Sequence, residues 1–248
     1  PIWYSGSPSV AVSPLEGIKR KLKGKAEVIF KKGCSIQGRK EIGWNDETDR
    51  PIYKEIDEKG SIEEAVDLAA GSDAAILVMG TNLEVANEAS DRKDLSLPGN
   101  QLELIKKVNN VNPNTIVVLV NGMPLTANWV YEHVPSVLEA WYAGQSQGTA
   151  IADVIFGDFN PGGKLPVTFY KNEDELPQLG DYDITKGRTY WFYEGEVSYP
   201  FGHGLSYTTF DIGNLQLDET TFNMSENDSF TILIDVENTG DRLGDEVV

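Results

Sequence analysis

The sequence predicts an α/β fold with a mostly parallel sheet, followed by the beginning of a β-sandwich. Two nearly continuous apolar runs, at 74–79 and 115–120, have the length and composition of strands that are covered on both faces. Segments with apolar residues at helical spacing alternate with these runs, which is typical of a parallel sheet with helices on its faces. From Phe210 the pattern changes to short alternating segments, which indicate antiparallel strands.

Local signals place the other elements of the first part of the chain. The apolar run AEVIF at 26–30 ends at a Lys-Lys-Gly segment, so we expect a strand there. Ser61 precedes apolar residues at helical spacing and is followed by Glu63 and Glu64, so it is the expected N-cap of a helix that ends at 71–73. Similar signals predict a helix over 100–108, a strand over 136–142 and a helix over 148–156.

The pattern changes after the Pro-Gly-Gly segment at 161–163. Residues 171–206 combine turn formers with many aromatic side chains and show no helical period, so we expect an extended segment that packs its rings on the preceding domain. The strands that follow are too few to bury enough apolar surface alone. We therefore divide the chain into an α/β domain at 1–170, the aromatic segment at 171–207 and a partial β-domain at 208–248.

Charge and hydropathy exclude two classes of partner. The 248 residues carry 21 basic and 39 acidic side chains, which gives a net charge of −18. Such a surface repels phosphates, so no nucleic-acid partner is expected, and the basic cluster at 19–25 is interpreted as a solvated helix end. No apolar run reaches the roughly 18–20 residues of a membrane span, so no membrane partner is expected either.

The residue types that usually bind metals are sparse. Cys34 is the single cysteine, and His133 and His203 are far apart in sequence, so neither a multi-cysteine nor a histidine-rich metal site is predicted. We expect no metal and no cofactor, while a calcium site built from carboxylates stays open. The glycine-rich segment at 157–163 lacks the Gly-Lys-Ser/Thr ending of a phosphate-binding loop.

The connection that begins at Gly80 carries the strongest functional signal. In a parallel α/β sheet ligands bind outside the carboxyl ends of the strands, and Gly80 stands at such an end. The connection is about 18 residues long, and loops of that length in a domain are often functional. As far as residue 92, its charged side chains are Glu84, Glu88, Asp91 and Arg92. The residues alone leave two interpretations open, a solvated acidic loop and a functional site.

The same connection carries a series of motifs. Gly80 follows a strand, Glu88 stands three residues before Asp91-Arg92, and Leu-Pro-Gly at 97–99 precedes Gln101 at the start of a helix. Further segments follow in order: 14–18 (PLEGI), 33–34 (GC), 121–124 (NGMP), 143–145 (AGQ), 148–154 (GTAIADV), 157–168 (GDFNPGGKLPVT), 187–190 (GRTY) and 199–207 (YPFGHGLSY). This ordered series resembles glycoside hydrolase family 3, in its β-xylosidase and β-glucosidase branches, over nearly the whole chain.

The resemblance implies the (α/β)6-sandwich domain of a retaining β-glycosidase. Such enzymes use two carboxyl groups about 5–5.5 Å apart, one as nucleophile and one as general acid/base. In this family the nucleophile is an Asp on a preceding (β/α)8 barrel, and the acid/base lies on the sandwich-domain loop. By motif position the acid/base is Glu88, with Glu84 as the alternative. Asp91 and Arg92 are candidates for substrate binding, although pairing within the loop is the simpler interpretation.

The chain departs from the family pattern at both ends. Residues 1–6 resemble the sequence just after the linker from the barrel, and 236–248 resemble the opening strands of a fibronectin type III-like domain. We therefore expect an internal fragment of an exo-acting enzyme that cleaves β-linked oligosaccharides or aryl glycosides, with xylose favoured over glucose. The barrel domain of the same protein is the expected partner, and the isolated chain is expected to be inactive. A secreted or periplasmic location is expected rather than a cytoplasmic one.

The sequence also suggests two alternative functions and one local interpretation. The missing barrel leaves room for a non-catalytic carbohydrate-binding or scaffolding module. A nucleotide-binding α/β domain would need a Gly-x-Gly-x-x-Gly turn after a strand, which the sequence lacks. Trp141 and Tyr142 end a predicted strand and are interpreted as core residues rather than as sugar-stacking platforms.

Overall fold

The computed structural model describes residues 8–47, 50–86, 92–178, 180–218 and 229–248. Its helices are α1 (Pro14–Lys21), α2 (Lys59–Ala70), α3 (Gln101–Val111), α4 (Asn128–His133), α5 (Gln147–Ile155) and α6 (Thr189–Phe192). Its strands are β1 (Arg39–Asn45), β2 (Arg50–Glu55), β3 (Ala75–Gly80), β4 (Thr115–Val120), β5 (Ser136–Glu139), β6 (Phe169–Tyr170), β7 (Val197–Tyr199), β8 (Phe210–Leu217) and β9 (Ile232–Asn238).

The centre of the fold is a parallel sheet with the strand order β3-β4-β5. Ala75 aligns with Thr115 at one end and Gly80 aligns with Val120 at the other, so β3 and β4 pair over their whole length. The central strand β4 is largely buried, which explains why its sequence TIVVLV is continuously apolar. The sheet confirms the predicted α/β class and the strand over 115–120.

Helices α2 and α3 pack together and supply much of the core. The buried side chains of α3 recur at helical spacing, at Gln101, Leu104, Ile105 and Val108. Leu104 and Val108 form one cluster with Ile62 and Ala69 of α2, and Ile105 joins a second cluster with side chains of β4. Full burial of such aliphatic side chains contributes about 1.5–3 kcal/mol each. The predicted helices over 100–108 and 148–156 are present as α3 and α5.

Helices α1 and α5 approach each other through glycine. A side chain on Gly17 of α1 would overlap the backbone of Gly148 in α5, and one on Gly148 would overlap the carbonyl of Ser13. The backbone N–H of Gly148 donates to the carbonyl of Val12 at 2.9 Å. The basic cluster at 19–25 does lie at the end of α1, but within it Lys21 pairs with Asp153 and Asp158.

The expected strand at 26–30 is wrong. These residues form no helix and pair with no described strand, and Ile29 and Phe30 are exposed. An apolar run forms a strand only where a neighbouring strand supplies hydrogen bonds, and no described strand lies beside residues 26–30 to do so. The sequence analysis also missed the antiparallel pair β1–β2, whose side chains are mostly polar and exposed, so the pair lacks a strong hydrophobic pattern.

Two element boundaries also need correction. Helix α2 begins at Lys59, two residues before the expected N-cap Ser61. Its N-cap is Glu58, whose side chain makes no capping hydrogen bond, and the Asp57 carboxylate just before it accepts the backbone N–H of Lys59 at 3.0 Å. Strand β5 ends at Glu139 rather than at 142, because Trp141 has a φ of 49° and turns the chain out of the sheet.

The second half of the chain holds short elements. Strands β6 and β7 pair antiparallel, and part of the aromatic segment packs on the α/β part, with the Tyr199 ring against Tyr131. Strands β8 and β9 form an antiparallel pair whose side chains are largely exposed on both faces. The domain boundaries at 170 and 207, and the fibronectin-like character of the last segment, stay predictions.

Candidate functional site

The carboxyl ends of β3, β4 and β5 lie side by side because the sheet is parallel. The three strands end at Gly80, Val120 and Glu139, and a loop leaves each of these ends. This edge is where a parallel α/β sheet places its ligands. The loop after β3 is the one that the sequence marks as functional.

Gln101 fixes the point where the β3 loop begins. The Gln101 side chain is buried; its Oε1 accepts the backbone N–H of Gly80 at 2.7 Å, and its Nε2 donates to the Gly80 carbonyl at 2.8 Å. A side chain on Gly80, which has a φ of 136°, would overlap the carbonyl of Val120. The Gly80 and Gln101 positions of the motif therefore act together, although they are far apart along the chain.

The first residues of the β3 loop form a turn. Thr81 is buried, its backbone N–H donates to the Val120 carbonyl at 2.9 Å, and its hydroxyl lies 2.7 Å from the hydroxyl of Tyr142. Glu84 is exposed, and its backbone N–H donates to the Asn82 side chain at 3.1 Å. Glu84, the alternative acid/base, thus lies in an exposed turn.

Of the other three predicted site residues, the structure describes only Arg92. Glu88 and Asp91 lie outside the described residues. Arg92 is described, and only 7% of its side chain is exposed. Its guanidinium donates to the carbonyl of Ser96 and lies 3.6 Å from the Asp94 carboxylate. The described contacts of Arg92 are therefore within the loop and toward neighbouring loops.

Burial has an electrostatic consequence for Arg92. Desolvation lowers the pKa of its guanidinium, while Asp94, Glu173 and Tyr142 lie close enough to oppose that shift. Glu173 also accepts the backbone N–H of Leu95 at 2.5 Å, which ties the end of the loop to the aromatic segment. Arg92 therefore keeps a largely buried cation at this edge of the sheet, beside Asp94 and Glu173.

Two polar side chains meet behind the loops, at the ends of β4 and β5. Asn121 is fully buried; its Nδ2 donates to the Met123 carbonyl at 2.8 Å and lies 3.4 Å from the Glu139 carboxylate. Its Oδ1 has no hydrogen-bond partner among the described residues. Burial raises the pKa of Glu139 to about 7, although hydrogen bonds from Trp141 and Asn121 oppose the shift.

The sequence analysis did not select Glu139. The signal was present, because this Glu lies inside the otherwise apolar run SVLEAWY, at the end of a strand. A carboxyl group in such a run is either buried with partners or placed for function. Its environment now identifies it as the most strongly perturbed described carboxyl group at this edge.

Tyr142 differs from its sequence interpretation as a core residue. It is 48% exposed, while Trp141 is partly buried with its ring against Phe169. The positive φ of Trp141 redirects the chain, so that the Tyr142 ring lies over Gly122 of the β4 loop. The prediction failed because it assumed that the strand continued to residue 142.

Within the described ranges, no three His, Cys, Asp or Glu side chains come together as a metal site. None of the helices described here is both long enough and apolar enough to cross a bilayer.

An α/β domain with long loops at the carboxyl edge of a parallel sheet is the class that the fold and this edge define. The family described as the glycosyl hydrolase family 3 C-terminal domain matches residues 2–207. The chain belongs to this family.

Similar proteins of known name support the same assignment. The chain is 38% identical to a β-xylosidase of Formosa agariphila, over 99% of the chain and 32% of that protein. It is 34% identical to a periplasmic β-glucosidase of Salmonella typhimurium, over 98% of the chain and 33% of that protein. The structure of an Erythrobacter marinus β-glucosidase superposes with a TM-score of 0.80 at 34% identity, over 98% of the chain and 34% of that structure. The chain thus spans about a third of the length of these relatives.

Proposed function

We propose that this chain is the part of a retaining, exo-acting β-glycosidase that carries the general acid/base loop. The observation that carries the proposal is the β3 loop, which begins at Gly80 on the carboxyl edge of the sheet and ends at Gln101, in a chain of this family. The names of the relatives above support a β-xylosidase or β-glucosidase. The proposed partner is a (β/α)8 barrel of the same protein, which supplies the nucleophilic Asp.

The proposed mechanism has two steps. The Asp of the barrel attacks the anomeric carbon while Glu88 donates its proton to the leaving oxygen, which gives a glycosyl-enzyme and an alcohol. Glu88 then removes a proton from water, and the water oxygen displaces the Asp with net retention of configuration. The acid step requires a protonated Glu88 when the substrate binds, so the complete enzyme must hold its pKa above the ordinary value.

The proposed acid/base is tested in the complete protein by Glu88→Gln. Hydrolysis of aryl β-glycosides with poor leaving groups is expected to fall by about 10²- to 10⁴-fold, because these phenolates depend on protonation. Substrates with highly acidic phenols are expected to form the glycosyl-enzyme at nearly the normal rate. The measurement is the rate of phenol release over a series of leaving groups.

Glu84→Gln is the matched control for this substitution. It removes the second candidate carboxylate of the same loop and is expected to leave the leaving-group dependence unchanged. If Glu84→Gln loses activity on poor leaving groups while Glu88→Gln keeps it, the assignment of the acid/base is wrong.

The isolated chain is proposed to be inactive, because it supplies one of the two required carboxyl groups. Purified chain of residues 1–248 is expected to release no phenol from aryl β-xylosides or β-glucosides above the buffer rate. Robust hydrolysis by this material would contradict the division of the active site between two domains.

The sugar and the location are the finer parts of the proposal. We propose xylose first and glucose second, and a panel of aryl glycosides on the complete protein ranks them by kcat/KM. The proposed location is outside the cytoplasm, and the proposed domains are 1–170, 171–207 and 208–248. Fractionation of the source cells, followed by detection of the protein, tests the location.

A further inference from the structure

Tyr142 follows strand β5 and contacts the loops that follow the other two strands of the parallel sheet. Its hydroxyl lies 2.7 Å from the Thr81 hydroxyl, at the start of the β3 loop. A Cβ on Gly122 of the β4 loop would lie 2.8 Å from Cε2 of the Tyr142 ring. Tyr142 itself belongs to the β5 loop, so it joins the three loops at this edge of the sheet.

The direction of Tyr142 is set by the residues before it. Trp141 has a φ of 49°, a conformation that is costly for a bulky residue unless its surroundings fix it. The Glu139 carboxylate accepts the Trp141 backbone N–H at 3.2 Å, and Gln147 Nε2 donates to the Trp141 carbonyl at 2.8 Å. Both polar groups of this one peptide residue are therefore held by side chains, and the turn presents Tyr142 to the β3 loop.

The partner of Tyr142 is itself fixed. Thr81 is buried, and its backbone N–H extends the β3–β4 pairing to the Val120 carbonyl. The hydroxyl pair between Thr81 and Tyr142 adds about 1 kcal/mol of stability, which is small for the whole fold. The same contact can matter more for the reaction rate than for stability, because a displacement of a catalytic group by about 1 Å costs on the order of 10²-fold in rate.

We propose that Tyr142 is a positioning residue for the general acid/base loop, whose first residues it holds through the Thr81 hydroxyl. This inference rests on the proposed function of that loop. Tyr142 acts through the loop, so it affects both proton transfers of the acid/base, to the leaving oxygen and from the attacking water. Substrate binding and attack by the nucleophile depend on other groups.

The test is Tyr142→Phe in the complete protein, with aryl β-glycosides of graded leaving-group acidity. For poor leaving groups kcat is expected to fall about tenfold or more, with KM changed little, because the proton donor is misplaced. For highly acidic phenols, which leave without protonation, formation of the glycosyl-enzyme is expected to stay within about twofold of the parent rate. A purely structural role would lower both classes of substrate alike.

Substitutions of Thr81 and of the distant Tyr207 serve as further tests. Thr81→Val is expected to reproduce the loss and to add nothing in the double variant with Tyr142→Phe, while Thr81→Ser keeps the hydroxyl and the activity. Tyr207→Phe is the matched control: Tyr207 is 46% exposed, and its hydroxyl donates to the Val154 carbonyl at 2.9 Å, on α5. It is expected to leave the leaving-group dependence unchanged.

The inference is overturned if Tyr142→Phe forms the glycosyl-enzyme at the parent rate for every leaving group, or if that rate falls equally for all of them. If Tyr142→Phe does not fold, Thr81→Val decides by the same criterion. Failure of the proposed function has a different signature, because the parent protein would then hydrolyse no aryl β-glycoside before any substitution is made.

Discussion

Glu139 is the described carboxyl group at this edge whose ionisation is most altered by its surroundings. Its carboxyl group accepts hydrogen bonds from Trp141 and Asn121, but burial is the larger effect and raises its pKa to about 7. A carboxyl group that keeps its proton to neutral pH is stabilised in the folded state under acidic conditions. The cost of its burial grows as the pH rises from the ordinary value of 4.5 toward the folded pKa, and it is complete above that pKa.

The pH dependence of this cost predicts the behaviour of Glu139→Gln. Below the ordinary value of 4.5 both folded and unfolded chains hold the proton; above about 7 both have lost it, and the folded chain bears the full cost. The free energy of unfolding of the parent, relative to that of the variant, is expected to fall between these pH values by at most about 3 kcal/mol. Denaturant unfolding of both chains at a series of pH values measures this difference.

Glu132→Gln is the control for that experiment, because Glu132 is exposed on α4. Glu132→Gln is expected to change the free energy of unfolding by less than about 0.5 kcal/mol, because the side chain is exposed. A flat difference for Glu139→Gln would contradict the burial of an ionisable group at the end of β5.

At the scale of elements, the link between β3 and α3 depends on Gln101. Replacing it by Met keeps the shape of the side chain but leaves the N–H and carbonyl of Gly80 without their partners. Gln101→Met is expected to lower the free energy of unfolding by about 2–4 kcal/mol. Gln145→Met, at an exposed position, is expected to change it by less than about 0.5 kcal/mol. Equal effects of the two substitutions in denaturant unfolding would contradict this role.

The elements also show what the sequence could predict. Strand β4 was predicted with its correct bounds because burial on both faces leaves a continuous apolar run. Strands β1 and β2 were missed because their exposed, polar side chains carry no such run. Gln101 was marked by its motif position, but its contact with Gly80 depends on tertiary packing, which spacing along the chain does not encode.

The candidate site divides in the same way. The resemblance to the family selects Glu84, Glu88, Asp91 and Arg92 by their motif positions in one loop. Glu139 and Tyr142 come from another strand end, and their importance depends on which strand lies beside which. The turn at Trp141 decides where Tyr142 points, and no local signal predicted a positive φ at a tryptophan.

At the scale of the whole molecule, the segment after β9 fastens the β8–β9 pair to the α/β part. Lys164 and Glu246 pair at 2.9 Å with 17% and 12% of their side chains exposed. Asn160 donates to the Leu243 carbonyl at 2.9 Å and accepts the backbone N–H of Tyr207 at 2.6 Å. The glycine-rich segment at 157–163, rejected as a phosphate loop, thus lies in a contact between two parts of the chain.

This contact predicts the effect of Lys164→Met. The hydrogen bond from Lys164 lowers the pKa of Glu246, so the contribution of the pair is present above the ordinary carboxyl pKa and is lost as the pH falls through the lowered value. At pH 7 the variant is expected to expose the amides of β8 and β9 to faster hydrogen exchange, while those of β4 exchange as before. Lys19→Met, at an exposed position on α1, is the control and is expected to change neither set. Unchanged exchange in β8 and β9 of Lys164→Met would contradict a fastening role.

The assignment of Glu88 as the acid/base is the central claim, and azide rescue tests it most directly. In the complete protein Glu88→Ala removes the group that activates water, so the glycosyl-enzyme accumulates and small anions can attack from the face that water used. With azide present we expect faster turnover and a β-glycosyl azide, identified by the NMR coupling of its anomeric proton. An α-glycosyl azide would assign Glu88 as the nucleophile, and full activity without azide would remove it from the mechanism.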